Sequence, residues 1–288
     1  METSELLKRV RRIEIKTRAL TNNIFAGEYH SAFKGRGMSF AEVREYQPGD
    51  DIRDIDWNVT ARMNHPYVKV FEEERELTMM LLIDLSASQR FGTRLRSQRD
   101  LATEIAATLA FSAMQNNDKI GVIFFTDRIE KFIPPQKGRK HILYIIRELL
   151  NFTPQGKRTD VSVPLEYLVK IISKRSIAFL LSDFLTSSDY SKQLLVAARK
   201  HDLVALQLYD HNMASLPNVG LLKIADAETG HEQYIDTSSL EMRKHQQQWW
   251  NNQSKRLTEL FRKSNIDYVS IATDTDYVKP LMQLFAQR

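Results

Sequence analysis

Cysteine is absent from the 288-residue chain. That excludes disulfide cross-links, thiolate zinc sites, iron–sulfur clusters and cysteine nucleophiles, and it leaves oxygen or imidazole to hold any metal. Glycine (10) and proline (8) are sparse, so the chain is neither collagen-like nor of low complexity. Long apolar runs are missing too. Stretches such as residues 79–83 fall far short of the ~20 residues needed to cross a bilayer. The opening METSELLKRVRRIEIK has no apolar h-region, so no signal peptide is expected. Charge of one sign is scarcely in excess: 41 Lys and Arg against 36 Asp and Glu leave +5, too little to argue for nucleic acid. The expectation is a cytoplasmic protein with no integral membrane segment and no nucleic-acid partner.

What is present is an ordinary globular composition, 42% hydrophobic and 27% charged, in a length that suits one large domain or two small ones. Leu6, Val10, Ile13, Thr17 and Leu20 recur at spacings of three and four among basic residues, which predicts an amphipathic basic helix. Residues 29 to 71 are irregular and turn-rich, with GRG, QPGDDIRDIDWN and NHP, and read as short strands and loops. Within them Arg44, Arg53 and Arg62 are expected to pair with Asp50, Asp51, Asp54 and Asp56.

From Thr78 the pattern changes. TMMLLIDLS, KIGVIFFT (119–126), SIAFLLSDF (176–184) and DLVALQLY (202–209) are nearly continuous apolar runs, as in strands buried on both faces. Residues 129–135 read as an antiparallel neighbour of the second run. Amphipathic helices are predicted over about 95–115, 139–150, 163–173, 189–200 and 276–286, and 268–272 reads as a further strand. Residues 221–236 read as a hairpin with Glu228-Thr229-Gly230 in its turn, and Ser238 with Glu241 fits a capping box opening a helix to about 263. This alternation predicts a three-layer, doubly wound, mostly parallel α/β sheet over residues 78–288. Residues 1–77 form a helix and an irregular β-rich extension, expected to be an appended docking segment.

Ligands in such sheets sit beyond the carboxyl ends of the strands. Asp84, Ser86 and Ser88 follow the first buried run, Thr159 and Asp160 lie in the loop GKRTD, and Asp183 follows the third buried run. One loop thus supplies a carboxylate with two hydroxyls, another a hydroxyl, and a third a second carboxylate. Hard oxygen donors with few formal charges suit Mg²⁺ (or Mn²⁺). The pattern DxSxS, a Thr-Asp loop and a strand ending in Asp resembles the metal-ion-dependent adhesion site of von Willebrand factor A domains, a Rossmann-like fold. The resemblance implies Asp84, Ser86, Ser88, Thr159 and Asp183 as the metal site.

Gly35-Arg36-Gly37, Phe40, Arg44-Glu45-Tyr46, Pro48-Gly49-Asp50-Asp51, Arg53, Ile55-Asp56-Trp57, Ala61-Arg62 and Val68-Lys69 make a long ordered signature. It is similar to that of the bacterial domain-of-unknown-function fifty-eight family, whose members carry a von Willebrand A-like domain and are commonly encoded beside MoxR-type AAA+ ATPases. The resemblance implies a non-enzymatic, metal-dependent interaction module. Such a module would be an adaptor or co-chaperone of a MoxR-type ATPase, capturing an acidic side chain of that partner or of a client.

Other chemistries find less support. GRGMSF has Phe40 where a GxGxxG loop needs its last glycine, and no GxxxxGK[ST], HExxH or GxSxG occurs. Asp54, Asp56 and Asn58 imitate the start of an EF-hand, but Val59 replaces its glycine and His65 its glutamate. The remaining enzyme alternative is a metal-dependent phosphatase or other hydrolase at Asp84 and Asp183, with Asp160 as the nearby candidate base.

Overall fold

A computed structural model of the chain describes residues 8, 10–16, 38–73, 77–92 and 96–288. Leu6, Thr17, Leu20, the Gly35-Arg36-Gly37 signature and residue 95 lie outside the described residues. The chain divides into two compact units, one of residues 33–77 and one of residues 1–32 with 78–288.

In the smaller unit, β1 (Met38–Glu45) and β2 (Tyr67–Glu73) form an antiparallel pair with a register shift between Phe40 and Glu42. The acidic-basic run between them is spent on turns and caps. Arg44 grips both carboxylate oxygens of Asp50 at 2.8 and 2.7 Å. Asp51 accepts from the Arg53 N–H at the start of a short 3₁₀ turn, Ile52–Asp54, and also pairs with the Arg53 guanidinium. Asp56 caps the helix α1 (Trp57–Met63) by accepting from the Asn58 and Val59 N–H groups. That use leaves Asp56 to Lys69, at 3.5 Å, and not to an arginine as expected. Arg62 is exposed at the end of the helix.

The larger unit is built on six strands: β3 (Thr78–Asp84), β4 (Lys119–Phe125), β5 (Ile129–Gln136), β6 (Ile177–Ser182), β7 (Asp202–Tyr209) and, across a separate two-stranded hairpin, β10 (Asp267–Ala272). Their order is β10-β7-β6-β3-β4-β5, and every neighbour is parallel except the edge pair β4–β5. Pro134 and Pro135 sit on that edge strand at a shift in the ladder, between the paired residues Ile133 and Gln136. The apolar runs are buried as their composition requires.

Side chains alternate across the sheet. Met80 and Leu82 of β3 pack with Leu165 and Leu168 of α4 (Ser162–Ile171), Leu194 of α5 (Ser191–Lys200) and Phe261 of α7 (Leu240–Lys263). The opposite face is also buried. There Phe179 of β6 meets Phe285 of α8 (Val278–Ala286) edge-on, with ring centres 6.2 Å apart. Thr108 of α2 (Gln98–Gln115) shares a buried hydrogen bond with Tyr277, at the start of α8. Helices therefore cover both faces, and the layering is the three-layer, doubly wound arrangement expected. α3 (Arg139–Asn151) and a single-turn helix α6 (His211–Ala214) complete the helices.

Two local expectations change. Residues 10–16, which the sequence pattern groups with the signature segment, belong instead with the sheet unit. Glu14 pairs with Arg139 and Lys16 with Glu104, each at 2.7 Å, and Val10 is buried. The cap of α7 is Ser239, not Ser238. The Ser238 hydroxyl is occupied with Asp236 at the end of the hairpin strand, so the next serine accepts from the Met242 N–H. That hairpin, β8 (Leu221–Ala225) and β9 (Glu232–Asp236), is antiparallel as expected.

β3 and β6 flank the point where the winding reverses: the chain leaves β3 toward β4 and returns to β6 on the other side. A crevice at the carboxyl ends of these two strands follows from the topology. Among the described residues no helix is long and apolar enough to cross a membrane.

Candidate metal centre

Asp84 ends β3, wholly buried. Its Oδ1 accepts from the Ser86 N–H at 2.8 Å, an Asx turn that bends the chain away from the sheet. A 3₁₀ turn, Ala87–Arg90, follows. Ser86 is buried and Ser88 half-buried, with their hydroxyl oxygens 3.0 Å apart.

The second loop is pinned to the first, since the Ala87 N–H donates to the Lys157 carbonyl at 3.0 Å. Its shape is held from below by Glu130 of β5, which accepts from the Gln155 and Gly156 N–H groups and the Thr126 hydroxyl. Gly156 has no room for a side chain, because a Cβ would come within 2.2 Å of Thr126 Oγ1 and 2.3 Å of Asp127 Oδ1. This packing delivers Thr159, nearly fully buried, to the crevice. The third loop joins it where the Thr186 hydroxyl donates to the Thr159 carbonyl at 2.7 Å.

In the third loop the Ser182 hydroxyl donates to Asp84 Oδ2 at 2.6 Å and accepts from the Phe184 N–H at 3.0 Å. Phe184 holds a left-handed backbone (φ 59°), rare for an aromatic residue. Its ring is locked edge-on against Phe261 with centres 5.1 Å apart. The sharp turn at Phe184 directs the preceding Asp183 inward, fully buried. Asp183 Oδ1 accepts from the Leu185 N–H at 3.0 Å, while Oδ2 has no hydrogen-bond partner. The Ser88 hydroxyl is near enough to favour the Asp183 charge but is not placed to donate to Oδ2.

The five residues read from sequence, Asp84, Ser86, Ser88, Thr159 and Asp183, are thus gathered on three interlocked loops. Four other residues escaped the sequence reading. Ser182 orients Asp84, Glu130 braces the second loop, and Thr186 ties the second loop to the third. Glu228, in the β8–β9 turn, accepts the Thr159 hydroxyl proton at 2.9 Å. Asp160, the candidate base, is already engaged: its Oδ1 accepts from the Ser162 N–H and hydroxyl and from the Ser188 hydroxyl.

The electrostatics are those of a site short of positive charge. Burial, then the Asp183 charge, pushes Asp84 up to about 7 against the donors Ser182 and Ser86. Burial pushes Asp183 up to about 6, opposed by the Leu185 N–H and Ser88, with Glu228 adding repulsion. Glu228 is itself raised, chiefly by burial. Among the described residues no three His, Asp or Glu side chains converge tightly enough to hold a metal by themselves. A cation in this crevice would therefore lean on hydroxyls, with carboxylates supplying charge. The unpartnered Asp183 Oδ2, the hydroxyl tier and the raised carboxyls all fit a hard divalent cation.

Residues 42–256 match the family model described as protein of unknown function DUF58. The chain belongs to the DUF58 family. The uncharacterized protein Rv1480 of Mycobacterium tuberculosis is 32% identical to this DUF58 chain over 232 residues, 80% of this chain and 73% of that protein. The uncharacterized protein YeaD of Bacillus subtilis is 28% identical over 109 residues, 38% of this chain and 25% of that one. Among solved structures, an aerotolerance-related membrane protein of Bacteroides fragilis aligns with a TM-score of 0.51 at 14% identity. That alignment covers 73% of this chain and 97% of that one. At that identity the likeness concerns the fold alone, and it supports the doubly wound architecture.

Proposed function

We propose that this DUF58 chain is a metal-dependent protein-interaction module of von Willebrand A-like type, acting by binding and not by turnover. The observation that carries the reading is Asp183 Oδ2, a buried carboxylate oxygen without a hydrogen-bond partner among three hydroxyl-bearing loops. Leaving such a group unsatisfied is costly, and a cation at this point removes the cost. Ser86, Ser88 and Thr159 would hold Mg²⁺ or Mn²⁺, with Asp84 and Asp183 balancing its charge. A bound cation supplies an exchangeable position that an incoming carboxylate can fill.

The surrounding residues orient this capture. Ser182 favours the ionised form of Asp84 and aims it, Glu130 fixes the Thr159 loop, and the Phe184 turn keeps Asp183 inside. A partner would present Asp or Glu, and a MoxR-type AAA+ ATPase or its client, in the cytoplasm, is the partner that the signature segment suggests. The hydrolase alternative would use Asp160 as its base, and Asp160 Oδ1 already accepts three hydrogen bonds.

Co-purification of the chain with native partners, in Mg²⁺ and then in EDTA, tests the proposal for the wild type and for Asp84→Asn. Partner retention is expected in Mg²⁺ only, and only in the wild type. Equal retention in all four conditions, or robust Asp84-dependent phosphatase turnover with Mg²⁺ or Mn²⁺, would overturn it.

A further inference from the structure

We infer that Glu228 is a built-in carboxylate for this cation site, standing where a partner's acidic side chain would enter; the inference rests on the metal-site reading above. Glu228 is carried on the tight turn between β8 and β9. There Asp226 Oδ1 accepts from the Glu228 and Thr229 N–H groups at 2.9 and 2.8 Å, and the Gly230 N–H donates to the Asp226 carbonyl at 2.8 Å. Gly230 takes a left-handed backbone (φ 74°) that closes the turn. The turn fixes the Glu228 backbone, and its half-buried side chain reaches back 69 residues to Thr159.

Two observations make this more than a tie between loops. The hydroxyl that Glu228 engages belongs to Thr159, one of the oxygen donors of the site. Glu228 also brings its carboxylate near enough to repel the fully buried Asp183, which itself repels Asp84. Such crowding is repulsive unless a cation lies among the oxygens.

The consequence is competition. When a partner acid enters, the Glu228 carboxylate leaves, so one monoanion replaces another and the charge at the site is unchanged. An intramolecular carboxylate is present at high effective concentration, so a lone acidic side chain cannot displace it. A partner must add contacts elsewhere, and the hairpin thereby sets the threshold for capture.

The test uses the full chain and Mn²⁺ alone. Mn²⁺ affinity is measured by calorimetry, and the exchangeable waters on the bound ion are counted by water-proton relaxation. Wild type, Glu228→Gln and Glu228→Ala are compared, with Asp84→Asn as the control for the site. Both Glu228 variants should keep the circular dichroism of the wild type, bind Mn²⁺ about tenfold more weakly, and gain about one exchangeable water per ion. Unchanged affinity and water count in both variants, with Asp84→Asn still losing Mn²⁺, would overturn the role of Glu228 and leave the metal site standing. No Mn²⁺ uptake by the wild type, or uptake equal to that of Asp84→Asn, would overturn both.

Discussion

The Ser182 hydroxyl on β6 donates to Asp84 Oδ2 on β3 at 2.6 Å. This bond links two parallel neighbours whose register pairs Ile83 with Leu181 one residue earlier. Two loops of the candidate site are thereby held by the same ladder that holds the sheet, and their relative position is as rigid as the core beneath them.

Ser182→Ala should expose how much the site depends on that bond. Losing a hydrogen-bond donor to a metal-site carboxylate costs about tenfold or more in metal affinity. Calorimetric Mn²⁺ titration of the variant should show that loss with the fold intact by circular dichroism. Wild-type affinity would mean that Asp84 is oriented by the Ser86 N–H alone.

The buried carboxyls make a prediction about pH. Asp84 is held up at about 7 and Asp183 at about 6, both from 3.8. Between about pH 4 and pH 7 the folded chain therefore binds more protons than the unfolded one, and these groups withdraw stability as pH rises through that window. A divalent cation favours the ionised pair and should restore what is lost. Thermal melts should show Mn²⁺ raising the midpoint clearly at about pH 7.5 and little at about pH 5. Equal stabilisation at both pH values would contradict the assignment of Asp84 and Asp183 to the site.

Gly156→Ala is expected to damage the site from behind. The new methyl group would collide with Thr126 and Asp127, and overpacking of this kind costs about 1–3 kcal/mol. Relief by moving the loop would carry Thr159 away from Ser86 and Ser88. Urea unfolding and Mn²⁺ titration should therefore both weaken. A stable variant with wild-type Mn²⁺ affinity would show that the second loop tolerates displacement.

Much of this architecture was legible because burial on both faces leaves a continuous apolar signature, as in Met79–Ile83 and Ile177–Leu181. Asp84, Ser86, Ser88 and Asp183 were legible because they follow strands at positions that the winding rule singles out, and Thr159 through the Thr-Asp loop of the resemblance. Glu228 was not. Its sequence context signals a turn and nothing else, and its reach to Thr159 depends on where the hairpin is carried. Ser182 escaped for a related reason, since its role comes from the β3–β6 register. The cap at Ser239 was missed because Asp236 competes for the Ser238 hydroxyl, and two adjacent serines cannot be told apart by pattern.

The prolines of β5 have a bearing on recognition. Pro134 and Pro135 bring no N–H groups to the rim of the sheet. An extended peptide approaching that side finds an interrupted set of donors and cannot dock as an additional strand along its length. Strand addition is thus discouraged at the β5 border of the sheet, the one next to the loop that carries Thr159.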